Sequence, residues 1–123
     1  MKPPAREPNC VFCRVAAGEL PSTKVMETEG VLAFEDLNPG APHHVLVVPK
    51  AHVASIADLA VEQPEGARIW AELLSVVQRI AASRPDLANG WRLVSNVGEN
   101  GGQSVLHLHL HVLGGRRMTW PPG

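Results

Sequence analysis

Two hydrophobic periods alternate along the chain, and the points where one gives way to the other divide it into elements. From Gln63 to Arg84, Trp70, Leu73, Leu74, Val77, Ile80 and Ala81 recur every three or four residues, the spacing of one helix face. Pro64 suits the first turn of that helix and Pro85 ends it by Arg84, because a proline ring fixes φ and offers no N–H. A shorter helix is expected over Asn9 to Leu20, with Asn9 as N-cap, Val11, Phe12 and Val15 as its apolar stripe, and Gly18 closing it. Elsewhere the period is two or the run is continuous. "TKVMETEGVLAFEDLNPGAP" reads as two short strands turning at Glu29-Gly30 and halted at Asn38-Pro39-Gly40. "HHVLVVPK" is a third strand ended by Pro49, and its unbroken Val45 to Val48 implies burial on both faces. "WRLVSNVG" and "VLHLHLHVL", separated by "GENGGQS", supply two more. The order α-β-β-β-α-β-β with hairpin-like links predicts an α+β fold, an antiparallel sheet with helices packed on it.

Composition narrows the setting. At 123 residues the chain is long enough for one hydrophobic core and is expected to form a single domain over 1–123. Eleven Lys and Arg face twelve Asp and Glu, so no strong field would gather nucleic acid or an anionic membrane, and a small polar substrate fits better. The N-terminal "MKPPAREPNC" lacks the apolar run of a signal peptide, and a cytoplasmic location is expected. Residues 1–8 are expected to be a flexible N-terminal segment. The two cysteines, Cys10 and Cys13, are spaced C-x-x-C, which in a reducing compartment points to metal or redox chemistry more than to a structural bridge.

"SVLHLHLHVLGG" carries half of the six histidines. On a strand, His107, His109 and His111 would share one face with Val105, leaving Leu106, Leu108, Leu110 and Val112 for the core. Neighbouring rings would then stand about 7 Å apart, and protonating all of them would cost roughly 2.4 kcal/mol per pair at an effective dielectric near 20. The row is therefore expected to be mostly neutral, and a neutral imidazole is both a ligand and a nucleophile. Three incidental histidines on a half-exposed face would be the plainest reading, but strict register beside a glycine loop speaks against it. Two readings stay open on spacing alone. The histidines could join other residues around a metal, or one could attack a phosphate cradled by the backbone N–H groups of "NGGQS".

"HLHLHVL" fits His-φ-His-φ-His-φ-φ, with φ apolar, and resembles the signature of the histidine triad (HIT) superfamily of nucleotide hydrolases and transferases. "CVFCRVAAGELP", "VLAFEDLNPGAPHHVLVVPKAH" and "NVGENGGQSVLHLHLHVLGGRRMTWPPG" extend the likeness, in order and spacing, to the Hint branch, histidine triad nucleotide-binding proteins. That resemblance implies a five-stranded antiparallel sheet with two helices, the sheet continuing across a two-fold homodimer. It implies a purine nucleoside phosphoramidase that releases a nucleoside 5'-monophosphate and an amine through a nucleotidyl-histidine. The rival readings are cleavage of dinucleoside polyphosphates or adenylylated substrates, and a nucleotide-binding interaction module with residual activity.

By the same resemblance His109 is the nucleophile, its other ring nitrogen donating to a backbone carbonyl of its own strand. His111 contacts the phosphate, Ser104 assists the departing group, and His44 is a further active-site histidine. His43 then falls on the opposite face as a surface residue. Asp36 would accept the ribose hydroxyls, while Phe12, Val11, Val15 and Leu37 would line the base slot. Without the resemblance all four apolar residues read as core. Asn96, Gly102 and Gln103 occupy phosphate-loop positions, and Trp120, in a tail over 114–123 at the dimer interface, would extend toward the partner's site. Cys10, Cys13, His52 and His107 fill the positions of a structural zinc site; two thiolates and two imidazoles make a closed tetrahedral set. No organic cofactor is implied.

Overall fold

In the computed structural model, which describes residues 6–123, the elements follow the expected order. They are helix α1 (Val11–Ala16), strands β1 (Lys24–Glu27), β2 (Val31–Glu35) and β3 (His43–Pro49), helix α2 (Pro64–Ser83), and strands β4 (Trp91–Ser95) and β5 (Leu110–Gly114). Single 3-10 turns at Ile56–Asp58 and Pro85–Leu87 flank α2. One five-stranded sheet runs in the order β1-β2-β3-β5-β4, with every pairing antiparallel.

The sheet has two buried faces, as the unbroken run in β3 requires. Across β2, β3 and β5, Ala33 opposes Val47, Val47 opposes Leu110, and Val45 opposes Val112. These residues meet Ile69, Leu73, Val76, Val77 and Ile80 of α2 in the larger core. Each such side chain contributes about 1.5–3 kcal/mol by leaving water, so this face carries most of the fold. The helix is also tied to the β1-β2 hairpin: Glu72 accepts from Thr28 Oγ1 at 2.5 Å and from the Gly30 amide at 2.8 Å. On the other face Leu32, Phe34, Leu46 and Val48 pack against Phe12 and Val15 of α1. Leu46 stands opposite His111 and His44 opposite Leu113, so His44 and His111 share this second face.

Three expectations need correction. The first helix is shorter than Asn9 to Leu20, and its N-cap is Cys10, whose Sγ accepts from the Cys13 amide at 3.3 Å; Gly18 does follow it with φ +79°. The last strand covers only Leu110–Gly114 of "VLHLHLHVL". Its neighbour β3 ends at Pro49, which has no N–H to extend a ladder, and the Leu108 amide donates to Val53 O at 2.6 Å instead. Leu106 is therefore exposed, whereas Leu108, Leu110 and Val112 are core. Of the segment 1–8, residues 1–5 lie outside the described residues; Arg6 pairs with Glu19, and the Glu7 amide donates to Cys13 Sγ at 3.3 Å. Gly114, the first residue of the expected tail, is the last of β5.

Candidate functional site

The triad histidines do not form a half-exposed row. His107 and His109 are buried, at 0% and 6% exposure, beneath α1. The Phe12 ring stands edge-on to both, with centroids 6.0 Å from His107 and 5.0 Å from His109. His109 and His111 are 5.0 Å apart, ring to ring, closer than the 7 Å of a flat strand. Burial, aided by the neighbouring rings of His109 and His44, pushes His111 down to about 4. Burial likewise brings His107 down to about 4, against the opposing pull of the Pro49 carbonyl. Both rings are neutral at pH 7, as expected for crowded imidazoles.

Each ring's state is set by what holds its far nitrogen. His109 Nδ1 donates to His107 O at 2.7 Å, so its Nε2 carries the lone pair. His107 Nε2 donates to Pro49 O at 2.8 Å, which leaves Nδ1 as its lone-pair atom. His44 is the reverse case. Its Nδ1 accepts from the Gly40 amide at 2.9 Å, so the proton sits on Nε2 and is donated to His111 Nδ1 at 2.8 Å. His111 must then carry its own proton on Nε2. That atom is buried and has no hydrogen-bond partner, a cost of about 1–3 kcal/mol that a bound acceptor would remove. An amide in the Asn38–Gly40 turn thus dictates, through two rings, a donor aimed into the site.

Two clusters hold ligand-type atoms within 4.8 Å of one another, Cys10-Cys13-His52-His107 and Asp36-His44-His111. In the former, Cys10 Sγ lies 3.2 Å and Cys13 Sγ 3.5 Å from His107 Nδ1, and Cys13 Sγ lies 3.4 Å from His52 Nδ1. Metal–sulfur bonds near 2.3 Å and metal–nitrogen bonds near 2.0 Å give tetrahedral edges of about 3.5 Å, so the donor set fits zinc. Burial raises the Cys13 thiol above its ordinary value, which leaves a cation as the natural means of deprotonating it. The latter cluster does not fit. With the Gly40 amide bound to Nδ1, His44 can offer a metal no neutral lone pair at Nε2, and Asp36 Oδ2, 3.3 Å away, approaches an N–H.

The remaining expected residues divide. Asp36 Oδ1 accepts from the Asn38 amide at 2.8 Å, and the carboxylate, 19% exposed, keeps further lone pairs for other donors. Phe12 and Val15 are buried, but Val11 is 42% and Leu37 89% exposed, so these two are not core. Gln103 is a strut: its amide nitrogen donates to Ala54 O and Val105 O, and its oxygen accepts from the Gly98 amide. Gly102 takes φ +78°, Asn96 is half-buried, and Ser104 lies exposed just before the histidines. Trp120 is 80% exposed. His43 faces α2, donating to Asp86 Oδ2 at 3.0 Å and receiving Arg84 Nη1 at 3.0 Å, which matches its exclusion from the triad. A cleft of about 370 Å3 lined by Asp86, Asn89, Gly90, Gly115, Arg116 and Arg117 contains none of these histidines. The groups that sequence reasoning missed are main-chain atoms, the Gly40 amide and the Pro49 carbonyl; the turn before "HH" and the Pro-Lys after "VLVV" were their only traces.

Comparison with known proteins decides the family. Residues 17–118 match the HIT domain model. The chain belongs to the HIT family. It is 44% identical over 113 residues to a 14 kDa zinc-binding protein of Zea mays, covering 92% of this chain and 87% of the maize protein. In structure it is similar to a HIT family hydrolase of Legionella pneumophila, with TM-score 0.87 and 46% identity over 94% of this HIT protein and 100% of the other. A histidine triad protein of Clostridium difficile gives TM-score 0.85 and 43% identity, covering 93% and 96% of the two chains.

Proposed function

We propose that this HIT protein is a nucleotide hydrolase, a purine nucleoside phosphoramidase that works through a nucleotide covalently held on His109. The observation that carries the reading is the pair of fixed tautomers: a lone pair on His109 Nε2 beside an orphaned, buried proton on His111 Nε2. A nucleophile and a donor for a phosphoryl oxygen are what nucleotidyl transfer at phosphorus requires. The similar Legionella protein is named a hydrolase.

In the first step His109 Nε2 attacks the α-phosphorus; the new P–N(imidazole) bond forms as the P–N bond to the amine breaks. Ser104 relays a proton to the departing amine, which leaves neutral, and takes one back from the water that attacks in the second step. His111 Nε2–H donates to a non-bridging oxygen, and His44, locked by Gly40, keeps it in that state. Water then attacks phosphorus, the P–N bond to His109 breaks, and nucleoside monophosphate leaves. Asp36 holds the ribose hydroxyls with its unoccupied lone pairs. Phe12, Val15, Val11 and Leu37 take the base, which accounts for the exposed apolar pair; Asn96, Gly102 and Gln103 shape the phosphate loop.

Cys10, Cys13, His52 and His107 would hold zinc; the similar maize protein is named for zinc binding. The metal would supply structural cross-linking there. The assembly is read as a homodimer joined at the free edge of β4, where Trp91 and Leu93 are exposed, with the tail and Trp120 reaching the partner. No helix of the described residues is long and apolar enough to cross a membrane, and a cytoplasmic setting suits the paired thiols. Turnover of an adenosine 5'-phosphoramidate, compared with a diadenosine polyphosphate and with a cytidine phosphoramidate, tests the substrate class. The reading requires the first to have the highest kcat/KM; faster cleavage of the polyphosphate would replace it with the rival hydrolase, and no turnover of any would leave a binding module.

A further inference from the structure

We propose that the Cys10-Cys13-His52-His107 cluster is a positioning device for the nucleotide site, because its occupancy by zinc orders both the nucleophile and the base slot. This rests on reading His109 as the nucleophile and Phe12 as part of the slot.

The nucleophile lies in a stretch that the sheet does not hold. β5 begins at Leu110, so residues 105–109 lack ladder pairing. Their anchors are the Leu108 side chain in the larger core, the Gln103 Nε2 bond to Val105 O, the His107 Nε2 bond to Pro49 O, the Leu108 amide bond to Val53 O, and the cluster itself. The acceptor that fixes the tautomer of His109 is the carbonyl of His107, a cluster member. Whatever moves the His107 backbone moves the lone pair of His109.

The slot depends on the same residues from the other side. α1 has six residues, far below the length at which a helix is stable alone. Cys10 caps it and Cys13 closes its first turn. Phe12 follows Cys10 and precedes Cys13 in the sequence, and its ring stands edge-on to those of both His107 and His109. An exposed ion pair between Arg6 and Glu19 adds little. The larger core, by contrast, shares no residue with the cluster and lies across the sheet on the α2 face. Emptying the cluster should therefore loosen α1 and residues 105–109 while the α2 face stays folded. Binding and turnover then fall with the fraction of molecules that keep the ordered arrangement.

The full-length wild-type protein, stripped by a chelator and then restored with zinc, provides the test, with AMP as the binding probe and amide hydrogen exchange as the structural one. In the stripped protein AMP should bind about tenfold or more weakly and amides of 106–109 should exchange about tenfold or more faster, while α2 and β1–β3 stay within about twofold. Zinc should reverse both changes. His52→Asn, which removes one ligand while leaving every residue of α1 and 105–109 unchanged, should show intermediate losses that excess zinc repairs. Unchanged AMP affinity and local exchange would overturn the proposal, and so would exchange rising equally throughout, which would make the cluster a staple of the whole fold. Neither readout uses turnover, so a zinc-loaded protein that fails to hydrolyse phosphoramidates counts against the activity alone.

Discussion

The molecule holds two histidine clusters a few residues apart, and they differ in what touches the far side of each ring. At His107 a backbone carbonyl takes the outer proton, so the inner nitrogen presents a lone pair to two thiols. At His44 a backbone amide takes the outer lone pair, so the inner nitrogen presents a proton to His111. In both clusters the ligand-type atoms lie within 4.8 Å of one another. The main chain leaves one with lone pairs that suit a metal and gives the other an ordered set of protons. His109, between them, follows the His107 pattern in giving its proton to a backbone carbonyl, and keeps its lone pair on Nε2.

The comparison breaks most severely at the nucleophile. His109→Ala should lower kcat by roughly 10⁴-fold or more in a steady-state assay, while the larger core, of which His109 is no part, keeps the protein folded. His44→Ala removes the partner that orders His111 and should cost about 10²-fold in kcat with KM nearly constant; a change confined to KM would contradict the relay. Metal content sharpens the contrast. Elemental analysis should find one zinc per chain, abolished by His107→Ala and unaffected by His44→Ala; two equivalents would mean that the Gly40 amide does not exclude metal from the other cluster.

Acid sensitivity follows from His111. Its folded value of about 4 lies below the ordinary 6.5, so the unfolded chain binds the proton more readily between those values. The stabilisation is complete above pH 6.5 and is lost as pH falls toward 4. Denaturant midpoints of wild type should therefore drop more than those of His111→Gln between pH 7 and 5, and nitrogen NMR of His111 should still show the neutral Nε2–H form at pH 5.5. The smallest effect belongs to the exposed apolar pair. Leu37→Ser should change stability by less than about 0.5 kcal/mol yet weaken AMP binding severalfold, whereas Leu32→Ala, in the core, should cost about 2–5 kcal/mol.

What could be read in advance was whatever depends on local period. The twenty-residue α2 with its proline borders, the hairpin at Glu29-Gly30 and the doubly buried β3 all follow from spacing and turn chemistry. The failures share a cause: period two specifies alternation, not a partner. Residues 105–109 alternate perfectly, yet β3 stops at Pro49 and leaves them nothing to pair with. Cys10 replaced Asn9 as cap because a thiol held for the cluster also sits where an amide needs an acceptor. Leu37, Val11 and Leu106 are apolar but exposed; hydrophobicity alone does not distinguish a core position from a surface that awaits a ligand or partner. Family likeness named the candidate residues, but their proton positions were not legible, since Gly40 N–H and Pro49 C=O are main-chain groups that no side-chain motif encodes.

The most direct test is mass spectrometry of the protein quenched during turnover of an adenosine phosphoramidate, with the modified peptide sequenced. An adenylyl mass on His109, absent from His109→Ala and lost on standing in water, is the result required by a lone pair held at Nε2 by the His107 carbonyl. A nucleotide found on any other residue, or rapid turnover with none trapped on His109, would contradict it.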